Sequence, residues 1–352
     1  MAVMKASLTV FSLHSFLSGI RDEMAFYVQA IRGHFALLLQ RKRIDDLLKG
    51  QALSPELRTR LESVQRIRQF AINELGLPAQ HQYDRYVELG RACPVWSVMA
   101  APELSFQPLT WRYRFVGRLS YRGYFSEQDA QQLAARLEKE GWEVYVSGIP
   151  AYSTLGWLSD PVLSSFVHQS ETELAELLFH ELTHQVLFVS GDTVFNESLA
   201  VLVADEGMRR YAADRPQDIA RIERTRQRRD EFVALVLAYR QRLNQLYQLT
   251  VPAEEKRERK QAIMMELQHA YQQQKEQWGG YAGYDAWFAA VNNARLNAVG
   301  TYHALVPSLQ VLLQQCDNEM PRFFDECRRL ARLTQTARHK FLYSLMDIST
   351  TS

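Results

Sequence analysis

The hydrophobic positions of the chain change character twice along its length. Between Arg21 and Lys49, the residues Phe26, Tyr27, Ala30, Phe35, Leu38 and Leu39 recur near helical spacing and predict a long helix ended by Gly50. Pro55 opens a second predicted helix, which Gly76 and Pro78 close after Leu75, and Tyr83 to Gly90 reads as a short third one. Val95 to Ala100, Trp111 to Gly117 and Trp142 to Ser147 are rich in β-branched and aromatic residues and predict strands. A helix opened by Ser126 and closed by Gly141 lies between the last two. After Glu206 the pattern is helical again. Phe232, Leu235, Tyr239, Leu243 and Leu246 mark a helix over 217–249, and Pro252 opens its antiparallel return to about Trp278. Residues 284–303 read as helical or mixed, and 306–342 as a final helical region. No internal repeat or low-complexity segment interrupts this order.

One predicted helix carries chemistry. Ser170 and Glu173 form a capping box that starts it near Glu171, and Leu174, Leu177, Leu178 and Phe188 supply its apolar stripe. Gly191 is placed to end it near Val189 or Ser190, and Asp192 or Thr193 can cap a second helix from about Val194. His180-Glu181-Leu182-Thr183-His184 is an H-E-x-x-H motif on the first helix. The spacing puts both imidazoles on one helix face, where they can share a single zinc ion, with Glu181 beside them as general base. The chain runs about 9 Å past His184, turns, and returns about 6 Å before Glu197, so an antiparallel hairpin brings Glu197 near His184. Two His and one Glu leave a fourth position for water, as in a catalytic site. The metzincin pattern is excluded, because its glycine and third histidine positions are Leu187 and Ser190. Asp192 and Asp205 compete for the third ligand. Asp192 reads better as a cap, and Asp205 as a partner that orients a ligating histidine.

H-E-x-x-H followed by Asn196-Glu197-Ser198-Leu199-Ala200 resembles the gluzincin metallopeptidases, although the spacer between the two motifs is shorter than in their familiar members. The chain is more closely similar to a bacterial family of zinc aminopeptidases inferred from sequence. The matching stretches are Phe26 to Ala30, Tyr121 to Phe125, Ala151 to Trp157, Asp160-Pro161, Phe179 to Gln185, Gly191 to Thr193, Phe195 to Ala200 and Asn292 to Ala294. The resemblance implies an α+β, predominantly helical fold. Its zincin-like catalytic core would set a small sheet beside the H-E-x-x-H helix, where an edge strand can pair with an extended peptide. The expected organisation is an N-terminal helical layer over 1–92, that core over 93–212 and a C-terminal helical region over 213–352, in one compact unit. The resemblance also implies a Tyr or His that stabilises the oxyanion, for which Tyr302 and His303 are the candidates. Tyr152, Ser153 and Thr154, in a hydroxyl-rich loop, and Asn292 and Asn293 are the candidate substrate-binding residues. The same resemblance points to a cell-envelope or periplasmic location and leaves a cytoplasmic one open.

Composition narrows the alternatives. The chain has 352 residues, 47% of them apolar and 23% charged, which fits an ordinary globular protein. Its net charge of +1 argues against a dedicated nucleic-acid binder. Cys93, Cys316 and Cys327 have no metal-ligand spacing and read as free thiols. Ala6 to Ile20 is apolar but short and rich in serine, and reads as a degenerate signal sequence or a helix start. It leaves membrane association open through the N-terminus, but Ile20 stands where a lipid-bearing cysteine would be. The reading that follows is a zinc metallopeptidase acting on peptides as an aminopeptidase. The alternatives are an endopeptidase, and a helical binding or scaffold protein that keeps the zinc hairpin for structure. No acidic cluster that would bind a free amine stands out near the motif.

Overall fold

A computed structural model describes residues 29, 32–33, 35–113, 117–151 and 159–349. The apolar N-terminal stretch and Tyr152, Ser153 and Thr154 lie outside the described residues. The fold is α+β and predominantly helical.

The first hundred residues depart from the expected helical layer in two places. The long helix predicted up to Lys49 is interrupted by a turn and by β1 (Lys42–Arg43), after which α1 (Ile44–Lys49) begins. The segment expected as a third helix contains β2 (Arg85–Val87). Both departures come from pairing with distant chain. β2 pairs antiparallel with β1 and parallel with β8 (Val162–Leu163), in register Tyr86 opposite Val162. Local periodicity carries no signal for such partners. The Pro55 helix, α2 (Pro55–Leu75), forms as predicted. Ser54 caps it, and Gly76 ends it in the left-handed conformation.

The second sheet orders its strands β6-β3-β7, with β3 (Val95–Pro102) in the centre, between β6 (Arg122–Tyr124) and β7 (Trp142–Ile149). Both neighbours are antiparallel to β3. The hairpin of β4 (Trp111–Tyr113) and β5 (Gly117–Leu119) stands apart. Alternation along β3 sorts its faces. Val98 and Ala100 pack on α3 (Glu127–Lys139) through Ala130, Leu133 and Leu137.

Two helices form the centre of the molecule, α4 (Glu171–Val186) and α5 (Thr193–Tyr211). They pack closely on each other, and α4 also packs on α2. The long helices α6 (Pro216–Gln248) and α7 (Ala253–Gln277) follow. Bonds from Lys256 to Tyr247, Arg242 to Glu266 and Gln274 to Glu231 fix their antiparallel register. A short α8 (Asp285–Ala289) leads to α9 (Asn293–His303), which contacts β3 and β7 of the sheet and also α5 and α6. The remaining helices are α10 (Val306–Gln315), α11 (Met320–Ala331) and α12 (Gln335–Ser349). The largest apolar core joins α2, α4, α5, α10, α11 and α12. A second core joins α6 to α9 around Phe232, Tyr271 and Phe288. Among the described residues no helix is long and apolar enough to cross a membrane. Cys93, Cys316 and Cys327 are free thiols.

Candidate metal centre

The predicted capping box is present at the start of α4. The Ser170 hydroxyl accepts from the Glu173 N–H at 3.3 Å, and the Glu173 carboxylate accepts from the Ser170 N–H at 2.9 Å. The helix ends at Val186, three residues short of the expected boundary. Asn196 supplies the reason. Its Oδ1 accepts from the Val189 N–H at 2.8 Å, and its Nδ2 donates to the Val189 carbonyl at 2.9 Å. Both backbone groups that a continuing helix would use are thereby taken, and Leu187 is extended. Gly191 then turns the chain at φ 82°, a conformation that costs glycine little. Asp192 caps α5 by accepting from the Phe195 N–H at 3.2 Å.

This hairpin brings His180, His184 and Glu197 together, with one ligand-type atom from each within 4.8 Å of the others. Glu197 Oε2 lies 3.3 Å from His180 Nε2 and 3.6 Å from His184 Nε2. A tetrahedral zinc with bonds of about 2.0–2.2 Å holds its ligand atoms roughly 3.3–3.6 Å apart, and both His–Glu separations are compatible with such an ion. The imidazole centroids are 5.0 Å apart and nearly perpendicular. His184 Nδ1 is buried with no hydrogen-bond partner among the described residues, which leaves Nε2 as the ring's working atom. Burial works against charge on Glu197, but His184 and His180 outweigh it and hold the carboxylate well below its usual range. Glu197 is thus ionised, as a metal ligand must be. Burial lowers the pKa of His184, and Glu197 more than reverses that.

The other candidates fall in different places. The Tyr302 ring stacks near His180, with centroids 6.4 Å apart and planes inclined by 26°. Its phenol is held protonated, first by the Glu197 carboxylate and then by burial. His303 lies beyond it, with a pKa lowered to about 4 by burial, then by Arg229 and His180. Asn292 caps α9 and donates to the Val144 carbonyl at 2.9 Å. Asn293 is wholly buried, donates to the carbonyls of Pro102 and Glu103 at 2.9 Å, and accepts from the Tyr247 hydroxyl at 2.9 Å. These bonds fix α9 against the sheet, so Asn293 reaches a ligand only through the helix it holds. Asp205, expected to orient a histidine, takes Arg229 on both oxygens at 2.7 Å.

Two residues near the centre escaped individual notice in the sequence. Tyr121, just before β6, has a phenol pKa raised by burial, then by Glu197 and Glu181. Only its place in a family-matching stretch could have flagged it. Tyr83 is 1% exposed, has a positive φ of 56°, and its hydroxyl has no hydrogen-bond partner among the described residues. Burial, then Glu181 and Asp160, keep that phenol protonated. No sequence signal marked Tyr83, which lies where a helix was expected.

No curated protein and no solved structure matches the chain. A family model described as "Putative aminopeptidase" matches residues 25–342, nearly the whole chain, and the protein belongs to that family.

Proposed function

We propose that the protein is a zinc-dependent aminopeptidase in which His180, His184 and Glu197 hold one zinc ion. The observation that carries this reading is the convergence of two imidazole nitrogens and one ionised carboxylate at ligand spacing, with Glu181 on the same helix. Family membership supports peptide hydrolysis as the reaction. We also read residues 93–212 as a zincin-like core that the helical regions on either side support.

When bound, zinc supplies the Lewis acidity that activates water and polarises a carbonyl. Glu181 takes a proton from the attacking water onto its carboxylate and passes it to the leaving amine. Tyr302 and Tyr121, both held protonated, present O–H donors to the developing oxyanion. His303, neutral at pH 7, is the alternative donor on α9. Tyr83, buried within the field of Glu181, offers a third hydroxyl.

The test combines metal analysis with a peptide-library digest read by mass spectrometry. The expected result is about one zinc per chain and loss of single N-terminal residues. Glu181→Gln should retain zinc while turnover falls about 10²- to 10⁴-fold. Internal cuts would replace the aminopeptidase reading with an endopeptidase. Zinc retained by a parent chain that cuts nothing would leave the hairpin as a structural device.

A further inference from the structure

On the far side of α9 from Tyr302 lies a cavity of about 460 Å³. Its walls come from β3 and the loop after it, β5 and Ser120, the hairpin turn at Gly191 to Val194, and α6, α9 and α12. Among the described residues no aspartate or glutamate lines it, whereas Arg118 and Arg240 both do. Asp192 lies next to this wall, but Arg338, His339 and the α5 cap take up its carboxylate.

Arg240 is held rigidly and has no counter-ion among the described residues. Its guanidinium lies over the Phe106 ring, 4.6 Å from the centroid. Nε and Nη2 donate to one neutral atom, Asn297 Oδ1, at 3.3 and 3.1 Å. Asn297 is itself fixed by donating to the Phe106 carbonyl at 3.0 Å. Gly300 lies against the same guanidinium, where a Cβ would reach ordinary contact distance of Nε at 3.4 Å. Among the described residues Nη1 has no acceptor, and burial lowers the pKa of the group, with Tyr343 opposing. Arg118 is exposed and forms no ion pair among the described residues. With Nε and Nη2 fixed on Asn297, Nη1 remains for a ligand, and Arg118 on the same cavity wall adds a second positive charge, which suits an anion. The rest of the wall mixes apolar Met99, Val194 and Leu237 with the hydroxyls of Thr110 and Thr301, which suits an organic acid better than bare phosphate.

We infer that this cavity is a binding site for a small organic carboxylate, held by Arg240 and Arg118. Neither the metal nor the peptidase reading enters this inference. The carboxylate could belong to a free organic acid or to the C-terminus of a short peptide, and the experiment separates the two.

Isothermal titration calorimetry on the full chain, stripped of metal with a chelator so that no peptide is cut, would use phenylacetate, the dipeptide Leu-Phe and its C-terminal amide. At least one of the two free carboxylates should bind, with affinity that falls as salt rises. Arg240→Gln should weaken binding about tenfold or more, the loss of one charge-assisted hydrogen bond. That variant removes an uncompensated charge and should melt no lower than the parent. If it fails to fold, Arg118→Gln, an exposed change, carries the test and should weaken binding as well. Binding of phenylacetate but not Leu-Phe identifies a free acid. Binding of Leu-Phe but not its amide identifies a peptide terminus. No heat from either free carboxylate at millimolar concentration, or equal binding in the folded variant, would overturn the inference.

Discussion

A buried hydroxyl without a partner costs roughly 1–3 kcal/mol, and a non-glycine residue in the left-handed region costs about 1–2 kcal/mol more. Tyr83 carries both burdens next to the Glu181 side of the proposed centre. Removing the hydroxyl alone separates stability from function. Tyr83→Phe should unfold at the same or a higher denaturant concentration than the parent, while kcat falls about tenfold. Equal turnover would return Tyr83 to the core. Glu197→Gln makes the complementary point among the proposed ligands. It keeps the size and removes the charge, so zinc retained after dialysis, read by elemental analysis, should drop sharply while the circular dichroism spectrum is preserved.

At the scale of elements, the turn between α4 and α5 is set by Asn196, whose side chain closes both backbone groups of Val189. Asn196→Ala leaves two backbone groups without that partner and should lower stability by about 1–3 kcal/mol. Zinc affinity should fall as well, because the turn sets the distance from α4 to Glu197. Chemical denaturation with and without zinc reads both effects. The closeness of His180, His184 and Glu197 was legible in the sequence because it depends on local rules: helical spacing, a capping box, one glycine and a short return. The Asn196 clamp was not legible, since an asparagine inside a helix looks the same whether or not it reaches back across a turn. β2 was misread as a helix because its partners, β1 and β8, are remote in sequence. Tyr121 and Tyr83 were missed for the same reason. Each approaches the centre through tertiary packing, which leaves no periodic trace.

At the scale of the whole molecule, the first residue of α4 ties several elements together. Glu171 accepts from Ser63 and Arg66 at 2.8 Å, from Tyr211 at 2.7 Å and from Arg215 at 3.3 Å. Burial pushes its pKa up, but Tyr211, Ser63 and Arg66 outweigh it and hold the value at about 2, against the usual 4.5. A folded pKa below the unfolded one gives stability that is complete above about 4.5 and lost as pH falls toward about 2. Glu171→Gln should therefore flatten the acid limb of a stability-against-pH curve in that window and also lower the plateau at neutral pH. An unchanged acid limb would show that the junction holds without the charge. Asp192 makes a connection of longer reach, because Arg338 of α12 pairs with it at 2.7 Å and Nε2 of His339 lies 2.9 Å away. Arg338 leaves the ribosome 146 residues after Asp192, a wait of roughly 7–30 s at ordinary elongation rates. Throughout that interval the Asp192 carboxylate caps α5 without the guanidinium of α12. A polypeptide released before Arg338 is made keeps a buried carboxylate without its guanidinium at the head of α5, and should unfold at a lower denaturant concentration than the full chain.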